Sequence, residues 1–182
     1  QYSDMSDNWS KAALSRAVDN GLLKGYEDGS KALIKANNPL TRAEMAAVVN
    51  RAFGATVAGD IKTVTDVPAS AWYAKDIAKA VKMNTFAFDT KMRPNDLITR
   101  QEAFAVLARA FKLTNIDMKN KALNKFADKG DIVPWALKGL NGMAEAGYIK
   151  GSPNGNLNPK ANITRAEFAV VMDSLVKQYI DK

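Results

Sequence analysis

The chain has no cysteine and no histidine in its 182 residues. Without cysteine there are no disulfides, no thiol nucleophile and no thiolate zinc site, which is consistent with export from a bacterium lacking disulfide-forming machinery. Without histidine the commonest general base and the commonest transition-metal ligand are both missing. Asp and Asn are frequent, but no stretch has the acidic ladder of a calcium loop. No metal, no cofactor and no catalytic site are therefore expected. No apolar run approaches the roughly 20 residues of a membrane-crossing helix, and no secretory leader pattern is present. The chain begins almost directly on Tyr2, Asp4 and Trp9, as expected of a mature N-terminus or of a module excised from something longer.

What is present is ordinary in amount but not in arrangement. Apolar residues make up 47% and charged residues 25%, with a net charge of +7. That composition suits a packed, soluble core, and the charge favours acidic partners: nucleic acid, anionic polysaccharide or an anionic surface. Thr41-Arg42-Ala43-Glu44, Thr99-Arg100-Gln101-Glu102 and Thr164-Arg165-Ala166-Glu167 are three near-copies of one tetrapeptide. Each predicts a capping box, in which the Thr hydroxyl accepts from the Glu amide and the Glu carboxylate accepts from the Thr amide. The Arg then falls on the first helical residue, at the positive end of the helix dipole. Three cations beside free backbone donors suit an anionic ligand.

A second landmark precedes each box. Tyr2-Ser3-Asp4 leads to Trp9, Val64-Thr65-Asp66 to Trp72, and Phe126-Ala127-Asp128 to Trp135, so that the only three Trp recur every 63 residues. Repetition at such a period defines the architecture. After each Trp comes a helical pattern: Ala13, Leu14, Ala17 and Val18, then Ile77, Ala80 and Val81, then Leu137, Leu140 and Met143. Ser6 or Asp7 is the expected cap of the first, Pro134 fits the first turn of the third, and Gly21 and Gly147 are the expected stops. Loops follow, with Gly25 and Gly29 in the first and Gly151 and Gly155 in the third. The second loop, Phe86 to Lys91, has no glycine.

The helices opened by the boxes carry apolar stripes at helical spacing: Met45, Val48, Val49 and Ala52; Phe104, Leu107, Ala108 and Phe111; Phe168, Val171, Met172 and Leu175. The fold expected is all-α: three helix-loop-helix repeats around a central three-helix bundle, a pseudo-threefold spindle. Repeats of 1–55, 62–112 and 124–182 are expected, with boundaries near Gly54–Thr63 and Lys112–Lys125, and a further short helix near Asp117–Leu123.

These landmarks together resemble the S-layer homology (SLH) family: aromatic-x-Asp, Trp, a helix, a glycine-containing loop, a Pro, and a Thr-Arg-Ala-Glu helix start. A lone capping box carries little weight. Three, each with its Arg 28 to 33 residues after a Trp, are specific. The resemblance implies a secreted, non-enzymatic module at the bacterial cell wall or S-layer, anchoring an S-layer or other exported protein without a covalent bond. The implied ligand is a secondary cell-wall polysaccharide linked to peptidoglycan, ending in pyruvylated N-acetylmannosamine. Contact with other S-layer subunits would run through regions outside this chain.

The resemblance also assigns residues to grooves between repeats. Groove one would combine Arg42, Lys24, Gly25 and Gly29 with Trp72 and Tyr73. Groove two would use Arg100 and Trp135, and is expected to be altered, because Phe86, Ala87 and Phe88 replace glycine where backbone must approach a sugar. Groove three would combine Arg165, Gly147, Lys150, Gly151 and Gly155 with Trp9. A guanidinium reads a carboxylate through paired hydrogen bonds, and an indole face is a platform for a sugar ring. On this reading Arg42→Ala and Arg165→Ala weaken wall binding without unfolding, and Arg100→Ala matters less.

Each assignment has a structural counterpart. The arginines are open to ion pairing with Asp4, Asp66 and Asp128, which are favoured as loop or helix-start caps over ligand contacts. The Trp are open to core packing, and Lys24 and Lys150 to plain solvation. A basic nucleic-acid-binding repeat is the alternative function. The cations form no stripe and no reading motif is present, so neither nucleic acid nor membrane insertion is expected. A glycan-cleaving enzyme would need a unique carboxylate pair, whereas the acids here recur with the repeat.

Overall fold

The structure is a computed structural model that describes residues 2–114 and 121–180. Among these residues lie six α-helices: α1 (Lys11–Asp19), α2 (Arg42–Phe53), α3 (Ala74–Lys82), α4 (Arg100–Ala110), α5 (Leu137–Glu145) and α6 (Arg165–Ile180). The helical expectation holds with one addition, an antiparallel hairpin of β1 (Tyr26–Asp28) and β2 (Lys31–Leu33). Its two-residue turn is Gly29-Ser30, with Gly29 at φ +61°, a conformation that costs glycine no steric penalty. The short helix expected near Asp117–Leu123 falls largely outside the described residues; Leu123 itself lies in a 3₁₀ turn, Ala122–Lys125.

All three capping boxes form. The hydroxyls of Thr41, Thr99 and Thr164 accept from the amides of Glu44, Glu102 and Glu167 at 3.1, 3.3 and 3.1 Å. The return bonds from the Thr amides to the Glu carboxylates are 3.1, 3.3 and 3.2 Å. The start of α1 is built differently from the expected Ser6 or Asp7 cap. Asn8 Oδ1 accepts from the Ser10 amide at 3.0 Å and the Ser10 hydroxyl at 2.8 Å, because helix turns begin only at Lys11.

The next two amides of each capped helix are not free, contrary to the sequence-based expectation. Those of Arg42 and Ala43 donate to the carbonyls of Asp96 and Pro94, those of Arg100 and Gln101 to Ala161 and Pro159, and those of Arg165 and Ala166 to Asn38 and Ala36. Each helix start is therefore satisfied by the extended segment of another repeat, in the order first on second, second on third, third on first. Isolated bridges pair Thr41 with Leu97, Thr99 with Asn162 and Pro39 with Thr164. Leu40, Ile98 and Ile163 on these segments are at most 1% exposed.

Helix packing follows the same cycle. α2 lies against α3, α4 against α5, and α6 against α1. Each Trp-initiated helix thus covers the capped helix of the preceding repeat. Arg16 on α1 grips Asp173 on α6 through two bonds of 2.7 and 2.8 Å, and Asn50 on α2 donates to the Asp76 carbonyl on α3 at 2.8 Å.

The aspartates of the aromatic-x-Asp motif hold the loops inside each repeat. Asp4 accepts from the amides of Ile34 and Lys35 at 2.7 and 2.9 Å, Asp66 from Met92 and Arg93 at 2.9 and 2.8 Å, and Asp128 from Leu157 and Asn158, both at 2.8 Å. Their oxygens are used by the backbone, so the structural role outweighs a ligand role. The clamp has a reason in the backbone: Lys35, Arg93 and Asn158, which donate one bond each, all have φ between 51° and 54°, a strained conformation for residues with a side chain. Burial raises the carboxyls of Asp4 and Asp128, but the two backbone amides on each outweigh it and leave both below the ordinary carboxylate value.

A carboxyl depressed by folding adds stability above its unfolded pKa and loses it as pH falls through the folded value. Asp128→Asn should therefore cost about 1.5–3 kcal/mol at pH 7. The gap from the unsubstituted chain should narrow as pH drops below the free value of about 3.9. Urea denaturation at pH 7 and pH 3 measures both.

Candidate functional site

The inter-repeat cycle determines where each arginine points. Arg42 reaches out of the first repeat: Nε donates to the Met92 carbonyl at 3.0 Å and Nη1 pairs with Glu102 at 2.5 Å. Arg100 reaches into the third repeat, with Nε on the Leu157 carbonyl at 2.9 Å and Nη1 paired with Glu167. Arg165 reaches back to the first, donating to the carbonyls of Ile34 and Lys24 at 3.0 and 2.7 Å. Its third contact is the Tyr26 hydroxyl at 3.5 Å, which itself donates to Glu44 at 3.5 Å. The partner of each arginine is thus the capping-box glutamate of the next repeat, directly or through Tyr26. It is not an aromatic-x-Asp carboxylate, whose oxygens face backbone amides.

Burial lowers the guanidinium pKa of Arg42 and Arg100, with Glu102 opposing it at the first and Asp128 at the second. Burial also raises Glu102, but Arg42, the Thr99 contacts and Arg93, which donates to Glu102 at 3.0 Å, outweigh it and hold that carboxyl down. Arginine stays charged throughout. An arginine on the first turn of a helix is unfavourable with the dipole; here a carboxylate one repeat away compensates.

Two grooves result, and their composition corrects the pairing expected from sequence. The first, of about 420 Å³, brings together Lys24, Gly25, Tyr26, Trp72, Arg51 and Arg165. Its arginine from a Thr-Arg box is Arg165, not Arg42. The larger, of about 710 Å³, brings together Trp9, Gly147, Lys150, Gly151 and Arg100. Its arginine is Arg100, not Arg165. The shift by one repeat has a plain cause: each capped helix starts on a neighbour's strand, so its first side chain lies over that neighbour's loop. Arg42 consequently belongs with the second loop, 5.3 Å from the centre of the Phe86 ring.

The tryptophans are surface groups, not core. Trp9, Trp72 and Trp135 are 66%, 63% and 56% exposed. Trp135 lies 6.0 Å from the Arg109 guanidinium. Tyr73 is buried and packs edge-on to Trp72 with ring centres 5.4 Å apart, so it supports the indole and does not line the groove. Gly29 and Gly155 do not line the two grooves either; their positive φ values of 61° and 81° make them turn residues.

Gly25 and Gly151 serve close approach, but to an aromatic ring of their own repeat. A Cβ at Gly25 would sit 2.1 Å from Tyr2 Cε1, and one at Gly151 would sit 2.5 Å from Phe126 Cε1. The second repeat has the smaller Val64 in place of that aromatic, and Phe88, 50% exposed, near the glycine position. The missing glycine and the missing aromatic are one coupled exchange. Arg51 is a groove residue that sequence reasoning overlooked, and Arg109 is its counterpart in the second repeat. They stand ten residues after Thr41 and Thr99, and donate to the carbonyls of Leu22 and Thr85 at 2.8 and 3.3 Å.

With this geometry in view, comparison with known proteins is direct. The family model of the S-layer homology domain matches residues 1–46, 65–104 and 125–169, and the chain belongs to that family. It is 36% identical over 93% of its length to the surface-layer 125 kDa protein of Lysinibacillus sphaericus, covering 14% of that protein. It is 34% identical over 83% of its length to the cellulosome-anchoring protein of Acetivibrio thermocellus, covering 34% of it. It is 32% identical over 97% of its length to an amylopullulanase of Thermoanaerobacterium thermosulfurigenes, covering 10% of it. The chain thus spans about a tenth to a third of these relatives.

Arg165 is 3% exposed with three hydrogen bonds. Arg165→Ala, expected from sequence to spare the fold, should instead destabilise it by about 3–5 kcal/mol by removing a buried cation and leaving the buried Ile34 carbonyl and the Lys24 carbonyl without a donor. Glu102→Ala should do the same by stranding Arg42. Thermal melts of the two variants check this; unchanged midpoints would return the arginines to a ligand role alone.

Proposed function

We propose that the chain is a cell-wall anchoring module of an exported bacterial protein, built as three repeats of 1–55, 62–112 and 124–182. In this reading the capped helices form the centre of a pseudo-threefold spindle. The module sits in the wall or S-layer and holds its cargo there by binding secondary cell-wall polysaccharide. The preferred unit is an acidic terminal sugar, pyruvylated N-acetylmannosamine. The module itself performs no catalysis; any activity belongs to other parts of a longer protein.

The observation that carries the reading is the larger groove. There an exposed indole, Trp9, shares one groove with a lysine, Lys150, and a half-buried arginine, Arg100, beside a loop containing Gly147 and Gly151. Indole faces accept the apolar side of a sugar ring. The lysine and the remaining guanidinium N–H groups suit a carboxylate. The first groove repeats the set with Trp72, Lys24 and Arg165. In the second repeat Ala87 stands where the other two have Lys24 and Lys150, and Phe88 where they have Gly25 and Gly151, so the proposal has two working grooves. Two modest sites on one module gain through effective concentration on a multivalent wall. Two relatives, a surface-layer protein and a cellulosome-anchoring protein, fit such a role.

Calorimetric titration with synthetic pyruvylated N-acetylmannosamine, beside the same sugar lacking pyruvate, tests the proposal. Two sites for the pyruvylated sugar and none for the plain sugar are expected. Trp9→Ala and Trp72→Ala should each remove one site without lowering the melting temperature. Binding of neither sugar would sink the assignment of the terminal unit, and retention by isolated wall polymer would then decide the broader role.

A further inference from the structure

The two grooves differ at one position in a way that sets their length. Arg51, Arg109 and Ser174 each lie ten residues after the capping-box Thr of their helices. In the first groove Arg51 ties α2 to the loop through the Leu22 carbonyl at 2.8 Å. The α2 wall of that groove runs from Glu44 through Val48 and ends at Arg51, about 10 Å at the helical rise of 1.5 Å per residue. In the larger groove the matching residue is Ser174, whose hydroxyl turns back to the Val170 carbonyl at 3.1 Å. Tyr148, in the place of Leu22, donates its hydroxyl to Gln178. The tie thus lies further along, between Tyr148 and Gln178, and the α6 wall continues from Glu167 past Ser174 to Gln178, about 16 Å. α2 ends at Phe53 and has no counterpart of Gln178, whereas α6 runs on to Ile180.

We infer that the larger groove is an extended subsite that takes an acidic terminal sugar together with the neutral sugar joined to it, and that Arg51 confines the first groove to the terminal sugar alone. The inference rests on the carbohydrate reading above. The chemistry changes along the larger groove. Its loop end carries Lys150 and Arg100. Its far end offers Tyr148, Ser174 and Gln178 and no cation, which matches the uncharged hydroxyls of a second ring: side-chain hydroxyl and amide groups both donate and accept. Val170 and Val171 between the two ends supply apolar contact.

The two grooves can be read separately, because each holds one exposed tryptophan. A full chain with Trp72→Phe and Trp135→Phe keeps Trp9 as its only indole; Trp9→Phe with Trp135→Phe keeps Trp72. Fluorescence titration of each uses pyruvylated N-acetylmannosamine and a trisaccharide carrying it as the terminal unit. The Trp9 chain should bind the trisaccharide about tenfold more tightly, the size of one or two added hydrogen bonds. The Trp72 chain should bind the two within about threefold. Ser174→Arg in the Trp9 chain should abolish the preference for the trisaccharide over the monosaccharide; Ser174 is exposed on the helix, so the fold tolerates it. Gln178→Ala should reduce the preference in part. Equal binding of the two sugars by the Trp9 chain, or a preference that survives Ser174→Arg, overturns the inference while the carbohydrate reading stands. Failure of both sugars to bind either chain overturns both.

Discussion

The structure depends on one unmet requirement of an α-helix: its first amides have no acceptor within the helix. The capping-box Thr satisfies one of them locally. Two more on each capped helix are satisfied by carbonyls of another repeat. The Arg that follows the Thr then necessarily enters that neighbouring repeat, where the next capping-box Glu meets it. For Arg42 the meeting is direct; for Arg165 it runs through Tyr26. A local helix-start signal thereby becomes the joint between repeats. The loops, the grooves and the exposed indoles take their positions from that joint.

Much of this was legible in the chain itself. Helix starts could be read because the Thr-x-x-Glu pattern acts over four residues, and the apolar stripes because burial follows helical periodicity. The arginine positions were equally clear. Their destinations were not, because nothing within one repeat says that its helix starts on the strand of another. Sequence assigned Arg42 and Arg165 to the grooves of their own loops, where the fold delivers Arg165 and Arg100. The aspartates show the reverse. Their role as caps was favoured from residue type, but the amides they hold lie 26 to 31 residues away, beyond any local pattern.

The glycines teach a related point. Absence of glycine in the second loop reads as the loss of a sugar-contacting backbone. In the fold, Gly25 and Gly151 make room for Tyr2 and Phe126, so the absence goes with the smaller Val64. The same substitution pattern has two physical meanings, and only the three-dimensional neighbour separates them. Arg51 went unnoticed for a different reason: a lone cation near a helix end is ordinary, and its significance lies in the carbonyl it meets across the groove.

The cyclic order of the joints has a bearing on biosynthesis. A chain emerges from the ribosome N-terminus first, and domains fold as their residues become available. Here the carbonyls of Ala36, Ile34 and Lys24 wait for donors on Ala166 and Arg165. The first repeat, made earliest, is the last to be completed, and contacts at such sequence separation slow folding. Until the third repeat emerges, the strand that will receive α6 is an open edge. During synthesis or passage across a membrane, that edge is the point at which two nascent copies could exchange segments, and the closing of the cycle is what ends the exposure.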